Sequence, residues 1–238
     1  MKRLATFYLI LLHLALAVML WKSDFLERVA SRLGMASLKP EITDDYRKAL
    51  RYHSRSVDAL PDASVIFIGD SMIQGLAVTA VHPLGLSYGI GGDTTRGVLA
   101  RLPLYMPALK RAKAVVFAVG FNDARYRTAD EAIRNYISIL DALPPDLPVV
   151  VAAILPIDDS LKSAFASRGE WIQSFNSQLK ALAAQRQNIA FVDSRKRLDT
   201  DGDDRLDAPF HDGDGMHLNS AGNLLWAADL RAAILQRP

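Results

Sequence analysis

Residues 64–72 read SVIFIGDSM, a short apolar run that ends on Gly69-Asp70-Ser71. A strand with one wet face alternates apolar and polar side chains, so a continuous apolar run of this length predicts a strand covered on both faces. Gly, Asp and Ser directly after it predict a turn into a helix. Working outward, similar segments recur at 85–88, 114–119 (AVVFAV), 149–154 (VVVAAI) and 189–192 (IAFV), and four of the five are continuously apolar. Helical patterns fall at 71–79, 94–102, 129–142 and 167–186, with a last one from about 220 to 235. Strand and helix alternate, which predicts a parallel sheet flanked by helices on both faces.

The 238 residues suffice for one sizeable α/β domain. The formal charge is only +2 and no Lys/Arg run occurs, so nucleic acid is not an expected partner. There is no Cys, which excludes disulfides, thiolate catalysis and Cys-ligated zinc. The N-terminus pairs a basic head, Met1-Lys2-Arg3, with an uncharged apolar run over 4–21. As a helix that run would be about 27 Å long, close to the hydrocarbon thickness of a bilayer. It predicts a signal anchor over 1–22 in the inner membrane, with the N-terminus in the cytoplasm and the rest on the periplasmic side. Ala15-Leu16-Ala17 offers a cleavage site for the alternative, a secreted or periplasmic protein. Residues 23–60 carry many charges and read as a helical stalk, with Leu26, Val29 and Leu33 at helical spacing, Tyr46, Leu50, Val57 and Leu60 less regularly so, and a break at Pro40. The domain is expected over 61–238.

In parallel sheets, ligands bind outside the carboxyl ends of the strands. The first strand is followed by Gly69-Asp70-Ser71, the second by Gly89-Ile90-Gly91-Gly92-Asp93-Thr94-Thr95, and the third by Gly120-Phe121-Asn122-Asp123. Asp212-Gly213-Asp214-Gly215-Met216-His217 precedes the final helix. These parts suit acyl transfer. A serine hydroxyl needs an adjacent base, which His217 can supply, and a carboxylate fixes the imidazole tautomer. Asp214, three residues before His217, is favoured for that role, with Asp212 its rival. The Ser71 amide, the unshielded amide of Gly92 and the side-chain NH₂ of Asn122 are candidate oxyanion donors. Asp70, Asp93 and Asp123 read as loop-bracing acceptors, and His82 and His211 as surface or loop histidines. Met72-Ile73 after Ser71 excludes the G-x-S-x-G elbow, and Thr94 stands where a dinucleotide fingerprint needs its third glycine. The segment 199–207 spaces its acids like a calcium loop, but Asp204 and Phe210 stand where Gly and Glu are required, so a solvated acidic turn is expected.

GDS at 69–71, the Gly-rich second block, G-F-N-D at 120–123 and D-G-M-H-L at 214–218 together resemble the four blocks of the SGNH (GDSL-type) hydrolases. The second block, GIGGDTTR followed by VLARL at 98–102, is similar to that of the catalytic subunits of the platelet-activating-factor acetylhydrolases. The resemblance covers about residues 64–235 and departs from the pattern in reading GDSM for GDSL. It implies a flavodoxin-like three-layer α/β/α fold with a five-stranded parallel sheet. It implies Ser71 as nucleophile, Asp214 and His217 completing the triad, and Ser71, Gly92 and Asn122 as the oxyanion hole, with no metal or organic cofactor. The expected function is an esterase acting on short acyl esters of an envelope glycan or lipid. An O-acyltransferase on the same triad and a non-catalytic assembly module are the alternatives.

Overall fold

The structure is a computed structural model that describes residues 2–22, 41–161 and 168–236. It forms two compact units, 1–40 and 41–238. The first contains α1 (Lys2–Lys22), whose side chains are described at 6–16 and at Val18. Phe7, Leu9, Ile10, Leu12 and Leu16 are among those exposed. Over the described residues, no helix is long and apolar enough to cross a membrane. The spacing at Leu26, Val29 and Leu33 and the break at Pro40 lie outside the described residues.

The second unit is built on five parallel strands: β1 (Val65–Gly69), β2 (Gly85–Gly89), β3 (Ala114–Ala118), β4 (Val149–Ala152) and β5 (Ile189–Val192). Their order is β2-β1-β3-β4-β5, the doubly wound order expected. The helices of this unit are α2 (Asp44–Ser56), α3 (Ser71–Gly75), α4 (Val78–Val81), α5 (Thr95–Leu109), α6 (Ala129–Asp141), α7 (Gly169–Ala184), α8 (Arg195–Leu198) and α9 (Ser220–Leu235). Crossovers between parallel strands are right-handed. The step from β1 to β2 runs one way along the sheet, and the steps from β2 to β3, β4 and β5 run the other. Opposite directions with one hand put the connecting helices on opposite faces. Ile66, Ile68, Val115 and Phe117 accordingly pack with α5, α6 and α7. Val65, Phe67, Val116 and Val150 pack with α3, α4 and α9. The strands read as unbroken apolar runs because each face has its own core.

The direction reverses between β1 and β3, the switch point where an α/β sheet opens a crevice. There the strand ends are held at one level: Gly69 lies in register with Gly89 on β2 and Ala118 on β3. A Cβ on Gly69 would stand 2.1 Å from the Ala118 carbonyl oxygen, so only glycine permits the approach.

Three expectations need correction. The domain begins at Glu41, not at 61. Tyr46, Val57 and Leu60 are buried in it, and the Tyr46 hydroxyl donates to the Gly97 carbonyl at 2.8 Å. Tyr46, Val57 and Leu60 recur at near-helical spacing, but the charges among them read as a solvated stalk. The helix expected over 71–79 is two, α3 and α4, because Leu76 turns to extended backbone and buries its side chain. The helix expected to stop at 102 runs through Pro103 and Pro107 to Leu109. Its buried positions Val98, Arg101, Leu102, Tyr105, Ala108 and Leu109 hold it on the sheet across the missing N–H groups.

A chain cut to begin at residue 61 should therefore be far less stable than one beginning at 41. Loss of three buried apolar side chains costs roughly 1.5–3 kcal/mol each, read as a lower urea midpoint. Equal midpoints for the two chains would show that α2 is a detachable stalk.

Candidate active site

Ser71 opens α3 immediately beyond β1. Asp70 caps that helix, its carboxylate accepting the Met72 N–H at 3.0 Å. His217 arrives from the other end of the chain, on the turn before α9. Asn219 caps α9 by accepting the Ala221 and Gly222 N–H groups, and a bridge between His211 and Leu218 closes the turn. Within it, Asp214 Oδ1 accepts the N–H groups of Met216 and His217 at 2.8 Å each. Asp214 Oδ2 bonds His217 Nδ1 at 2.8 Å, and His217 Nε2 lies 3.0 Å from Ser71 Oγ. With Nδ1 donating to the carboxylate, Nε2 is the acceptor for the serine proton. The three expected residues are thus brought into one line from opposite ends of the chain. Asp212 is exposed and accepts the Asp214 N–H at 3.3 Å, so the imidazole bond goes to Asp214 and not to its rival.

Gly92 sits at φ +77°, and a Cβ there would meet nothing within 4 Å, so its loop presents bare backbone. Asn122 is buried, and its Nδ2 donates to the Asp93 carbonyl at 3.0 Å. That bond uses one of the two amide hydrogens and ties the Asn122 loop to the residue after Gly92. Asp93 and Asp123 are loop braces as expected. Asp123 accepts the N–H and hydroxyl of Thr95 at 2.8 and 2.6 Å.

Arg101 stands in the VLARL stretch at 98–102, but its residue type alone assigned it no role. Its guanidinium is fully buried and pairs with Asp93 at 2.8 Å. It also donates to the carbonyls of Tyr88 and Gly69 at 2.8 and 3.1 Å, and to the Tyr105 hydroxyl at 2.6 Å. One cation thereby fixes the ends of β1 and β2 and the loop between Gly92 and α5. The signal in the sequence was an arginine on the apolar face of α5, between Val98 and Leu102. His211 is buried rather than on the surface. Its Nδ1 accepts the Gly213 N–H at 2.9 Å, which shapes the turn that carries Asp214. Among the described residues it does not bond Ser71, whose hydroxyl meets His217.

Burial pushes the Asp70 carboxyl up to about 7, and the neighbouring Asp93 and Asp123 add to the push. Burial likewise raises Asp93, to about 6, against the pull of Arg101. Beside Ser71 an apolar pocket opens between the ends of β3 and β4, lined by Val119, Phe121, Ile154, Leu155, Ile157 and Met216. In the acidic turn, Asp199, Asp201 and Asp207 each place one oxygen within 4.8 Å of the others. Asp199 already accepts the N–H groups of Gly202, Asp203 and Asp204, so the turn braces itself.

A serine, an imidazole and a carboxylate in one hydrogen-bonded line, set at the carboxyl edge of a parallel sheet, form the geometry of an acyl-transfer enzyme. Comparison with known proteins agrees. Residues 67–225 match the GDSL-like lipase/acylhydrolase family, and the chain belongs to it. A platelet-activating factor acetylhydrolase IB subunit alpha2 from Rattus norvegicus is 35% identical over 117 residues, covering 44% of this chain and 50% of the relative. The alpha1 subunit from Mus musculus is 36% identical over 115 residues, covering 44% and 48%. The match spans about half the length of these relatives. A Streptococcus pneumonia chain described, provisionally, as a platelet activating factor superposes with a TM-score of 0.72 at 20% identity, over 92% of this chain and 99% of that one. The acetyl xylan esterase AlAXEase superposes with a TM-score of 0.59 at 22% identity, over 71% and 98%. At such identities the structural likeness carries the fold alone.

The Asp70 shift has a consequence for stability. Its folded value stands above the ordinary carboxylate value of 3.8, so the folded chain holds this proton more tightly than the unfolded chain. The stability gained is complete below pH about 4 and is lost as pH rises through about 7. Asp70→Asn keeps an acceptor for Met72 and has no such loss. Its urea midpoint should gain on the parent's between about pH 4 and about pH 7 and the difference should level off above that. A constant difference across that range would show Asp70 charged throughout.

Proposed function

We propose that this chain is a serine esterase that cleaves short acyl esters through an acyl-enzyme. The observation that carries the reading is the relay from Asp214 through His217 to Ser71, at 2.8 and 3.0 Å. Ser71 Oγ attacks the ester carbonyl carbon as His217 Nε2 takes its proton. The tetrahedral oxyanion is stabilised by the N–H groups of Ser71 and Gly92 and by the Asn122 amide. Collapse breaks the bond to the alcohol, which leaves with the proton from His217. Water then repeats the sequence on the acyl-enzyme and releases the acid. Asp214 holds the imidazole tautomer and stabilises the imidazolium in both halves.

The acyl group enters the apolar pocket beside Ser71, whose walls offer little to a polar chain. The names of two similar proteins, an acetylhydrolase subunit and an acetyl xylan esterase, support a short acyl group. The expected alcohol portion is an envelope glycan or lipid. Every member of the relay is present and connected, which argues against a non-catalytic module. Ser71→Ala should fold as the parent does and lose nearly all hydrolysis of p-nitrophenyl acetate. Asn122→Ala should lower kcat by roughly 10²–10³-fold with little change in KM. Activity of Ser71→Ala above a few per cent of the parent's would refute the nucleophile.

The proposal includes a membrane anchor with the catalytic domain on the periplasmic side. Its support is the uncharged run over 4–21 behind a basic head, and a backbone that stays helical for all 21 residues of α1. As a helix the uncharged run of 18 residues would be about 27 Å long, close to the thickness of a hydrocarbon core. Full-length protein should remain with membranes through high-salt and alkaline washes. A mature chain lacking its first residues by mass spectrometry would establish a cleaved signal in its place.

A further inference from the structure

Glu41 lies outside the stretch matched to the family, yet its side chain is only 12% exposed and turns into the second unit. Its Oε1 accepts the Thr94 hydroxyl and an Arg127 N–H, each at 2.5 Å. Its Oε2 faces exposed Arg96 at 3.5 Å. Thr94 stands two residues after Gly92 and caps α5. Arg127, 10% exposed, also pairs with Asp123, which is fully buried and directly follows Asn122. Asp123 in turn holds Thr95. One carboxylate thus cross-links the loop that carries Gly92 to the loop that carries Asn122, on the chain segment next to each donor.

We propose, on the esterase reading above, that Glu41 is a positioning residue that sets the separation of the two oxyanion donors, Gly92 N–H and Asn122 Nδ2–H. The physical reason is that an oxyanion hole works only when its donors are fixed before charge develops. Misplacement by about 1 Å costs up to roughly a hundredfold in rate. Without Glu41 the direct bond from Asn122 to Asp93 survives, as do the bonds from Thr95 to Asp123. The donors are then loosened rather than removed. The loss belongs in kcat, since the donors bind the tetrahedral oxyanion more strongly than the ground-state carbonyl.

The test uses the full-length chain and p-nitrophenyl acetate. Glu41→Ala should lower kcat about tenfold and leave KM within about twofold. Glu41→Gln keeps the shape and one acceptor oxygen and should recover part of the loss. In the Asn122→Ala background, removing Glu41 should cost less than about twofold, because one of the donors it holds is already gone. A change in KM alone, or a full tenfold loss persisting beside Asn122→Ala, would overturn the proposal. Should Glu41→Ala fail to fold, Glu41→Gln decides: a lower kcat at constant KM supports the proposal, and a parental kcat overturns it. Ser71→Ala separates the two levels. If it is as active as the parent, the esterase reading fails and this proposal with it. If it is inactive while Glu41→Ala keeps the parental kcat, only the role of Glu41 fails.

Discussion

The buried guanidinium of Arg101 is the constraint on which the rest of the site depends. A cation removed from water costs several kcal/mol unless its donors are answered. Here they meet the carboxylate of Asp93, two strand-end carbonyls and a tyrosine hydroxyl. Those carbonyls belong to Gly69 and Tyr88, so the cation can be satisfied only if β1 and β2 end at the observed level. The same pairing holds the loop behind Gly92 against α5. The interior is arranged outward from this point. Tyr105 passes the contact to His53, 2.7 Å away on α2. Burial and the nearby Arg101 depress His53 to about 4, so it stays neutral there.

The layers follow from chain direction and hand. Because the crossovers reverse between β1 and β3, helices cover both faces and leave the crevice open at those strand ends. Ser71 and Asn122 follow these two strands, and His217 is carried there by α9, which packs on the α3–α4 face. Beneath the loops lie the buried carboxylates of Asp70, Asp93 and Asp123. Each is answered by N–H groups or a guanidinium. Dipoles fixed in this way need no rearrangement when charge appears on a substrate oxygen, which is the main electrostatic advantage of a preorganised site.

The strands were legible because parallel strands buried on both faces leave unbroken apolar runs. The site residues were legible because each follows a strand or precedes the last helix, where Gly, Asp, Ser and Asn stand out. Other features were hidden for physical reasons. The two prolines in α5 suggest a stop, and only packing on the sheet carries the helix past them. The charges of α2 read as a solvated stalk, and the irregular spacing of Tyr46, Val57 and Leu60 does not say what they pack against. Arg101 and Glu41 look like ordinary charged residues, since nothing local distinguishes a solvated side chain from one sealed by distant elements.

The sequence by itself determined the alternation of strands and helices, the order of the blocks and the candidates for nucleophile, base and oxyanion donors. These depend on local propensity and on which residue types can do the chemistry. Only the tertiary structure decided that Asp214 rather than Asp212 holds His217, that the domain begins at Glu41, and that Arg101 and Glu41 brace the loops. Each of these is a contact between side chains or a packing of segments, settled by distance and burial in three dimensions. Ser71 and His217 are 146 residues apart along the chain and 3.0 Å apart in space, and it is the sheet that closes that gap.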